Sequence, residues 1–263
     1  MKSLVLCADD FGLSAGINEG ILQLLAQQRL SAVSCMTCLP GWHQYATALK
    51  PYHQQVAIGL HFNLTESSRA LPLGQLMQQA LTRRLDRDWV RDELQRQLDD
   101  FETALGVVPD FVDGHQHVQI FPGVRQVLAE VLQQRYPQSL PWVRRVNPPF
   151  SGHDSRLKAG VLRVMAAGFT SQLQRQHIPL TQAFAGLYSL QPEADFPELL
   201  HGWMQQLPEG GLIMCHPGAT GTAVTGLART RQLELDYLSS DVFGRRMQQQ
   251  GVCLTAHPAL LQV

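Results

Sequence analysis

Asp9 and Asp10 stand side by side where the apolar run Leu4-Val5-Leu6-Cys7-Ala8 gives way to Phe11-Gly12. A short, unbroken apolar run closed by a glycine turn reads as a parallel strand buried on both faces. Two carboxylates at the mouth of such a strand are costly unless something pairs, binds or neutralises them. The pattern recurs: Val56-Ala57-Ile58-Gly59-Leu60 ends in His61, Phe111-Val112-Asp113-Gly114 in His115 and His117, and Leu212-Ile213-Met214-Cys215 in His216. Each run delivers a side chain able to bind a metal or move a proton. Asp10, His61 and His115 together offer one carboxylate and two imidazoles, a three-ligand set for a divalent metal with positions left for water and substrate. Zinc suits two imidazoles; magnesium or manganese accepts them less readily. Alternate residues of a strand share one face, so His115 and His117 are expected to lie together with Asp113, which would orient one of the rings.

Elements able to bring these groups together follow from the apolar periodicity. Strand-like runs occur near residues 4–8, 32–37, 56–62, 111–114, 143–147, 185–190, 212–215 and 252–256, and helical stripes fill the gaps. Ile17, Ile21, Leu24 and Leu25 share one face, as do Val90, Leu94, Leu98, Phe101 and Leu105. Val124, Val127, Leu128, Val131 and Leu132 make a third stripe, and Leu199, Leu200, Trp203, Met204 and Leu207 a fourth. Strand alternating with helix predicts an α/β fold with a parallel sheet. Seven or eight strands favour a single (β/α) barrel, TIM-like and open to distortion, with the site on the C-terminal rim of the strands. An open doubly wound sheet is the alternative, but it would want a glycine-rich phosphate turn after the first strand, and Asp9-Asp10 would repel phosphate. Long segments after His61 (Thr65 to Leu85) and at Asn147 to Asp154 are expected as rim loops.

Size and charge narrow the partners. The chain has 263 residues, 44% of them hydrophobic, and reads as one domain over 1–263. A formal net charge of -1 leaves no electrostatic footprint for nucleic acid or an anionic membrane. Arg83-Arg84, Arg144-Arg145 and Arg245-Arg246 are expected to be solvated, with Arg144-Arg145 set apart by its place at a strand end. No run approaches the ~20 apolar residues of a membrane span, and the apolar start is too short for a signal peptide. Five cysteines within apolar runs fit free thiols in the cytoplasm. Trp42, Phe62 and Trp142 are candidates for stacking on a sugar, against the commoner role of core aromatics.

Four motifs, in order, resemble the YdjC-like carbohydrate deacetylases: Ala8-Asp9-Asp10-Phe11-Gly12 with Asn18 and Gly20-Ile21; Gly59-Leu60-His61-Phe62-Asn63-Leu64-Thr65; Asp113-Gly114-His115-Gln116-His117-Val118 with Phe121-Pro122; and Cys215-His216-Pro217-Gly218. Gln119 departs from the pattern, standing where relatives often carry another histidine. The resemblance implies a (β/α) barrel, one divalent metal ion (magnesium or zinc) held by Asp10, His61 and His115, and removal of an N-acetyl group from a small carbohydrate such as a chitooligosaccharide. It makes Asp9 the general base, and the residue types leave His216, arriving from another strand, to protonate the departing amine. It also implies a homodimer. A metal-dependent phosphoesterase is the enzymatic rival and would draw second-metal ligands from Asp9, His117 and His257. A non-catalytic sugar- or lipid-binding protein would explain a groove but not the aspartate pair.

Overall fold

The computed structural model describes residues 1–147, 156–220 and 226–261. Its elements alternate as the apolar runs require: β1 (Lys2–Phe11), α1 (Ala15–Ala26), β2 (Ala32–Cys35), α2 (Pro40–Tyr45), β3 (Ala57–Phe62), α3 (Leu73–Leu81), α4 (Arg87–Leu105), β4 (Phe111–Gly114), α5 (Val124–Arg135), β5 (Trp142–Val143), α6 (Arg156–Met165), α7 (Phe169–Arg175), β6 (Phe184–Ala185), α8 (Phe196–Gln206), β7 (Leu212–Cys215), α9 (Gly226–Ser239), α10 (Asp241–Gln249) and β8 (Val252–Leu254). The strands hydrogen-bond in the order β5-β4-β3-β2-β1-β7-β6, all in parallel. A parallel bridge between Val143 and Leu180, in the segment that leads into β6, links the two ends of that row. The pairings therefore run full circle, giving a distorted (β/α) barrel rather than the open sheet. β8 pairs with Lys2–Leu4, extending the edge of β1 that β2 takes over from Cys7 onward.

The helical stripes bury as their spacing predicts. Every apolar residue expected on α1, α4 and α5 is buried, and α8 buries Leu200, Trp203 and Met204. Ser14, Asp86 and Asp195 cap α1, α4 and α8 by accepting hydrogen bonds from first-turn N–H groups. Along β1 the alternation separates two cores. Leu4, Leu6 and Ala8 pack outward with Ile21 and Leu24 of α1, while Val5 and Cys7 join the core that takes Leu212 and Met214 of β7. The same parity carries Asp9 inward with Val5 and Cys7, and His216 inward with Met214.

The strands expected near 143–147 and 185–190 form only as Trp142–Val143 and Phe184–Ala185, and two further expectations change. The strand reading of His115-Gln-His117 fails: the strand ends at Gly114, and His115–Ile120 coil into a 3-10 turn with Gln116 and His117 at φ 53 and 61. The ladder β4 makes with β3 reaches only Gly114, so nothing holds the next residues extended. The 65–85 segment is not one loop but carries α3. The other rim loop lies, from residue 148 onward, outside the described residues.

Gly59 shows how tightly the barrel interior is filled. A Cβ there would stand 2.5 Å from the ring of Phe111, which is fully buried and stacks on Trp142 at 4.2 Å. The ring has nowhere to retreat. Gly59→Ala is expected to lower unfolding free energy by about 1–3 kcal/mol, the usual cost of overpacking; urea denaturation would show it, and a stability equal to that of the parent would mean that the interior relaxes freely.

Candidate active site

The first strand brings both aspartates to one cavity by breaking its own alternation. Between Ala8, opposite Val33, and Phe11, opposite Cys35, β1 spends one residue more than β2, and Asp10 sits at φ 70. A regular strand would turn Asp10 outward with Leu6 and Ala8; the bulge swings it to the side that Asp9 faces. Asn18 holds the turn that follows, accepting from the Gly12 N–H at 2.6 Å and donating to the Gly41 carbonyl at 3.3 Å. Gly12 itself has φ 103, and a Cβ there would lie 2.4 Å from the Met36 carbonyl oxygen. The Gly12 and Asn18 of the first motif are thus the scaffold of the bulge.

Asp10 is the meeting point of the two expected histidine ligands. Its Oδ1 lies 3.3 Å from His61 Nε2 and 3.0 Å from His115 Nδ1, and the three donor atoms fall within 4.8 Å of one another. The second oxygen of Asp10 accepts a short hydrogen bond from Arg231 of α9. Behind His61, its Nδ1 stands 2.6 Å from Asp113 Oδ1 and 3.0 Å from the Ser34 hydroxyl. The register sets this contact, since His61 pairs directly with Asp113. Asp113 therefore does orient an imidazole, but that of His61 and not those of its own chain segment. His115 Nε2 is 3.1 Å from Glu66 in the segment after β3.

The charges of this cluster are arranged for a cation. Burial alone would raise the Asp10 carboxyl, yet His115, His61 and Arg231 hold it well below the usual carboxylate range. Burial would also lower His61, but Asp113, Asp9 and Asp10 carry it up to about 10, and Asp10 with Glu66 raises His115. A divalent ion at this point would satisfy the same carboxylate. One carboxylate and two ring nitrogens, oriented from behind by Asp113 and Glu66, fit such an ion.

Arg144 is the largest departure from the sequence reading. Expected to be solvated, it is wholly buried at the end of β5. Its two terminal nitrogens each reach one oxygen of Asp9 at 2.7 Å, and Nη2 also lies 2.5 Å from Asp113 and 3.1 Å from the Cys7 sulfur. Cys7, Asp9 and Asp113 are close enough together to hold a metal, but the guanidinium is the cation that occupies that place. Burial would lower the Arg144 pKa; Asp113 and Asp9 push it well above its ordinary value. Arg145, by contrast, leaves the site and binds Thr170 and the Gln182 carbonyl.

Two neutral imidazoles complete the cavity wall. His216 ends β7, with its N–H donating to Glu234 at 2.5 Å and the Tyr188 hydroxyl donating to the same carboxyl. Burial lowers His216 to about 4 and, with Arg144 nearby, His117 to about 3. Among the described residues neither Nδ1 has a hydrogen-bond partner. Asp9, Asp10, His61, His115, His117 and His216 all line one cavity of about 890 Å³. The aromatic candidates do not: Trp42 stacks on Phe101, Trp142 on Phe111, and Phe62 is fully buried. His257 is exposed, beside a segment bonded to Gly210 at the start of β7, and so lies at the other rim.

Sequence reasoning missed Arg231, Glu66 and Ser34 and undervalued Arg144. Arg144 had a signal, a charge closing an apolar run, and so had Ser34, a hydroxyl on alternate strand positions with Ala32. Glu66 and Arg231 had none, because a loop and a helix face supply them.

The chain belongs to the YdjC-like protein family, whose model matches residues 3–249. It is 28% identical over 268 residues to the chitooligosaccharide deacetylase of Serratia marcescens, covering 96% of this chain and 97% of that one. It is also 28% identical over 292 residues to the carbohydrate deacetylase of Homo sapiens, covering 96% and 89%. A crystal structure from Enterococcus faecalis, of a protein provisionally assigned to cellobiose-phosphate cleavage, superposes with a TM-score of 0.68 at 19% identity over 97% of each chain. A peptidoglycan N-acetylglucosamine deacetylase superposes with a TM-score of 0.50 at 12% identity, over 96% and 85%. Both structural likenesses are of fold.

Removing one partner of a buried ion cluster leaves charge uncompensated, typically at ~3–5 kcal/mol. Arg144→Ala is expected to destabilise the protein by about that much in denaturant titrations, and adding Asp9→Asn should recover part of the loss. A cost within experimental error of zero would show that Asp9 and Asp113 find another partner.

Proposed function

We propose that this chain is a metal-dependent carbohydrate deacetylase that hydrolyses the N-acetyl group of an N-acetylglucosamine-containing sugar. One observation carries the reading: the donors of Asp10, His61 and His115 converge beside an Asp9 whose carboxylate Arg144 grips by both oxygens, in the cavity that also receives His216. The deacetylase names of the full-length relatives support it.

Amide carbonyls are poor electrophiles and amines poor leaving groups, so both ends of the bond need help. A single divalent ion, zinc or magnesium, would be held by Asp10, His61 and His115 and would supply polarisation of the acetyl carbonyl and a water acidified towards a pKa of ~7. Asp9 takes the proton of the attacking water as general base. A carboxylate has about four lone-pair sites; Arg144 uses two and the Cys7 thiol, 3.6 Å from Oδ1, a third, fixing the orientation while leaving a site on Oδ2. His216, whose ring lines the cavity, carries the proton to the departing nitrogen, and Glu234 fixes its backbone. Held neutral by burial, His216 receives in each cycle the proton that Asp9 has taken from the water and passes it to the amine.

A phosphoesterase with two metals finds no second ligand set among the described residues, because Asp9 is committed to Arg144 and His257 is at the other rim. We also take residues 1–263 as one domain, since β8 near the C-terminal end pairs with the first residues of β1. The five free thiols fit a cytoplasmic setting.

The reading is tested by incubating metal-loaded protein with a panel of N-acetylated sugars and following loss of one acetyl group by mass spectrometry. Alanine at Asp10, His61 or His115 is expected to abolish metal retention measured by elemental analysis; full occupancy in all three variants would sink the ligand assignment. Asp9→Asn should keep the metal and lower turnover by ~10²-fold or more. His216→Ala should keep the metal as well and lose ~10²–10⁴-fold, most severely on substrates with strongly basic leaving amines. An unchanged turnover number would reduce His216 to a strand-end residue.

A further inference from the structure

The barrel wall is joined most sparsely between β5 and β6. Among the described residues they meet only through the bridge of Val143 to Leu180, where Val143 donates to the Pro179 carbonyl at 2.8 Å and accepts from the Thr181 N–H at 3.1 Å. The next rung of a parallel ladder would carry the Arg145 N–H to the Thr181 carbonyl. It goes instead to the Thr181 hydroxyl at 2.9 Å. A second cavity, of about 290 Å³, fills the seam beyond this point, beside the C-terminal end of α8. It shares no lining residue with the cavity of Asp9 and Asp10.

Arg145 brings into this seam a charge that no described neighbour balances. Its Nε donates to the Thr170 hydroxyl at 3.2 Å and its Nη1 to the Gln182 carbonyl at 2.9 Å, both neutral acceptors. Among the described residues no carboxylate pairs with it, and burial lowers its pKa without any opposing charge to restore it. A half-buried charge calls for a partner. Its two neutral bonds hold the guanidinium in place beforehand, which reduces the ordering cost of binding one. Asn147, Gln182 and Gln206 add amides to the same lining. Ala185, Trp203 and Leu207, which share the outer core with Leu4 and Leu6, add an apolar floor. The carbonyls that end α8 would repel an anion, but Lys2 Nζ takes those of Gln205 and Leu207 at 3.1 and 2.9 Å.

We propose that this seam is a second binding site, taking a small monocarboxylate whose charge pairs with Arg145 and whose short hydrocarbon body lies against Trp203 and Leu207. One guanidinium matches one negative charge, and its planar fork suits a planar carboxylate. A phosphate dianion would keep a charge unmatched. The volume, just below the range of cavities that hold drug-sized ligands, limits the body to a few carbons. The site stands apart from the deacetylase reading: Arg144 turns into the barrel towards Asp9, and Arg145, the next residue, turns away to Thr170 of α7.

The test titrates the whole metal-loaded protein, labelled with fluorinated tryptophan, with butyrate, butyramide and inorganic phosphate, and follows the label by fluorine NMR. Of the four tryptophans only Trp203 lines the seam, and its resonance is expected to shift saturably with butyrate. A hydrogen bond to a charged group is worth about tenfold or more in affinity, so butyramide, which has the shape without the charge, should bind at least that much more weakly. Arg145→Gln should abolish the butyrate shift and Arg145→Lys should keep it in weakened form, with the spectrum before titration confirming the fold of each. Should Arg145→Gln fail to fold, butyrate against butyramide on the parent protein decides. No saturable shift at Trp203, equal binding of butyrate and butyramide, or butyrate binding undiminished by Arg145→Gln would each overturn the site. Phosphate binding more tightly than butyrate would overturn the carboxylate class.

Discussion

A buried guanidinium holds this barrel's charged interior together. Asp9, Asp113 and Cys7 project from two strands into the barrel interior, and Arg144 enters from a third to bind all of them. Such a cluster is not an economical source of stability, because desolvating three charges costs most of what their attraction returns. What it provides is geometry. Asp9 is fixed by both oxygens, and Asp113, tied to Arg144 through one oxygen, turns the other towards His61. His61 in turn faces Asp10. One arginine thereby sets the orientation of Asp9 and, through two relays, of the cluster around Asp10.

The cluster around Asp10 depends on a second constraint, the local break in β1. A strand without a bulge can send only one of two adjacent carboxylates to a given face. The left-handed Asp10 and the close-packed Gly12 turn deliver both, and Asn18 secures the turn from α1. Similar conformations at Gln116 and His117 end β4 abruptly and keep His115 against Asp10. Left-handed residues gather at the rim where the chemistry is proposed, at Asp10, Gln116, His117 and Leu190, while Gln28, Arg83 and His177 take the same conformation just past helix ends and the strands keep regular parallel pairing.

Polarity is graded across the cavity in a way that separates the two tasks of such a site. Charged groups gather on the floor, each compensated by a neighbour, and neutral buried imidazoles stand at the wall where a proton is to be moved. Beyond them the surface turns aliphatic out to the mouth.

Periodicity alone determined the strands, the helical stripes and the Asp and His residues that end the strands, because these depend on which side chains recur at the spacing of one element. Asp10, His61 and His115 were legible for that reason, as were the faces of α1, α4 and α5. Only the tertiary structure decided the rest. Which cation lies beside Asp9 depends on a residue 135 positions away that reaches it through closure of the ring. Whether Asp113 orients His61 or His115 depends on the register of β3 against β4, and whether Trp42 and Trp142 meet a sugar or the core depends on which neighbours bury them. Arg231 and Glu66 come from a helix and a loop whose local sequence carries no trace of the partner they meet. A buried charge is defined by its partner, and where partners are distant in sequence only the folded chain names them.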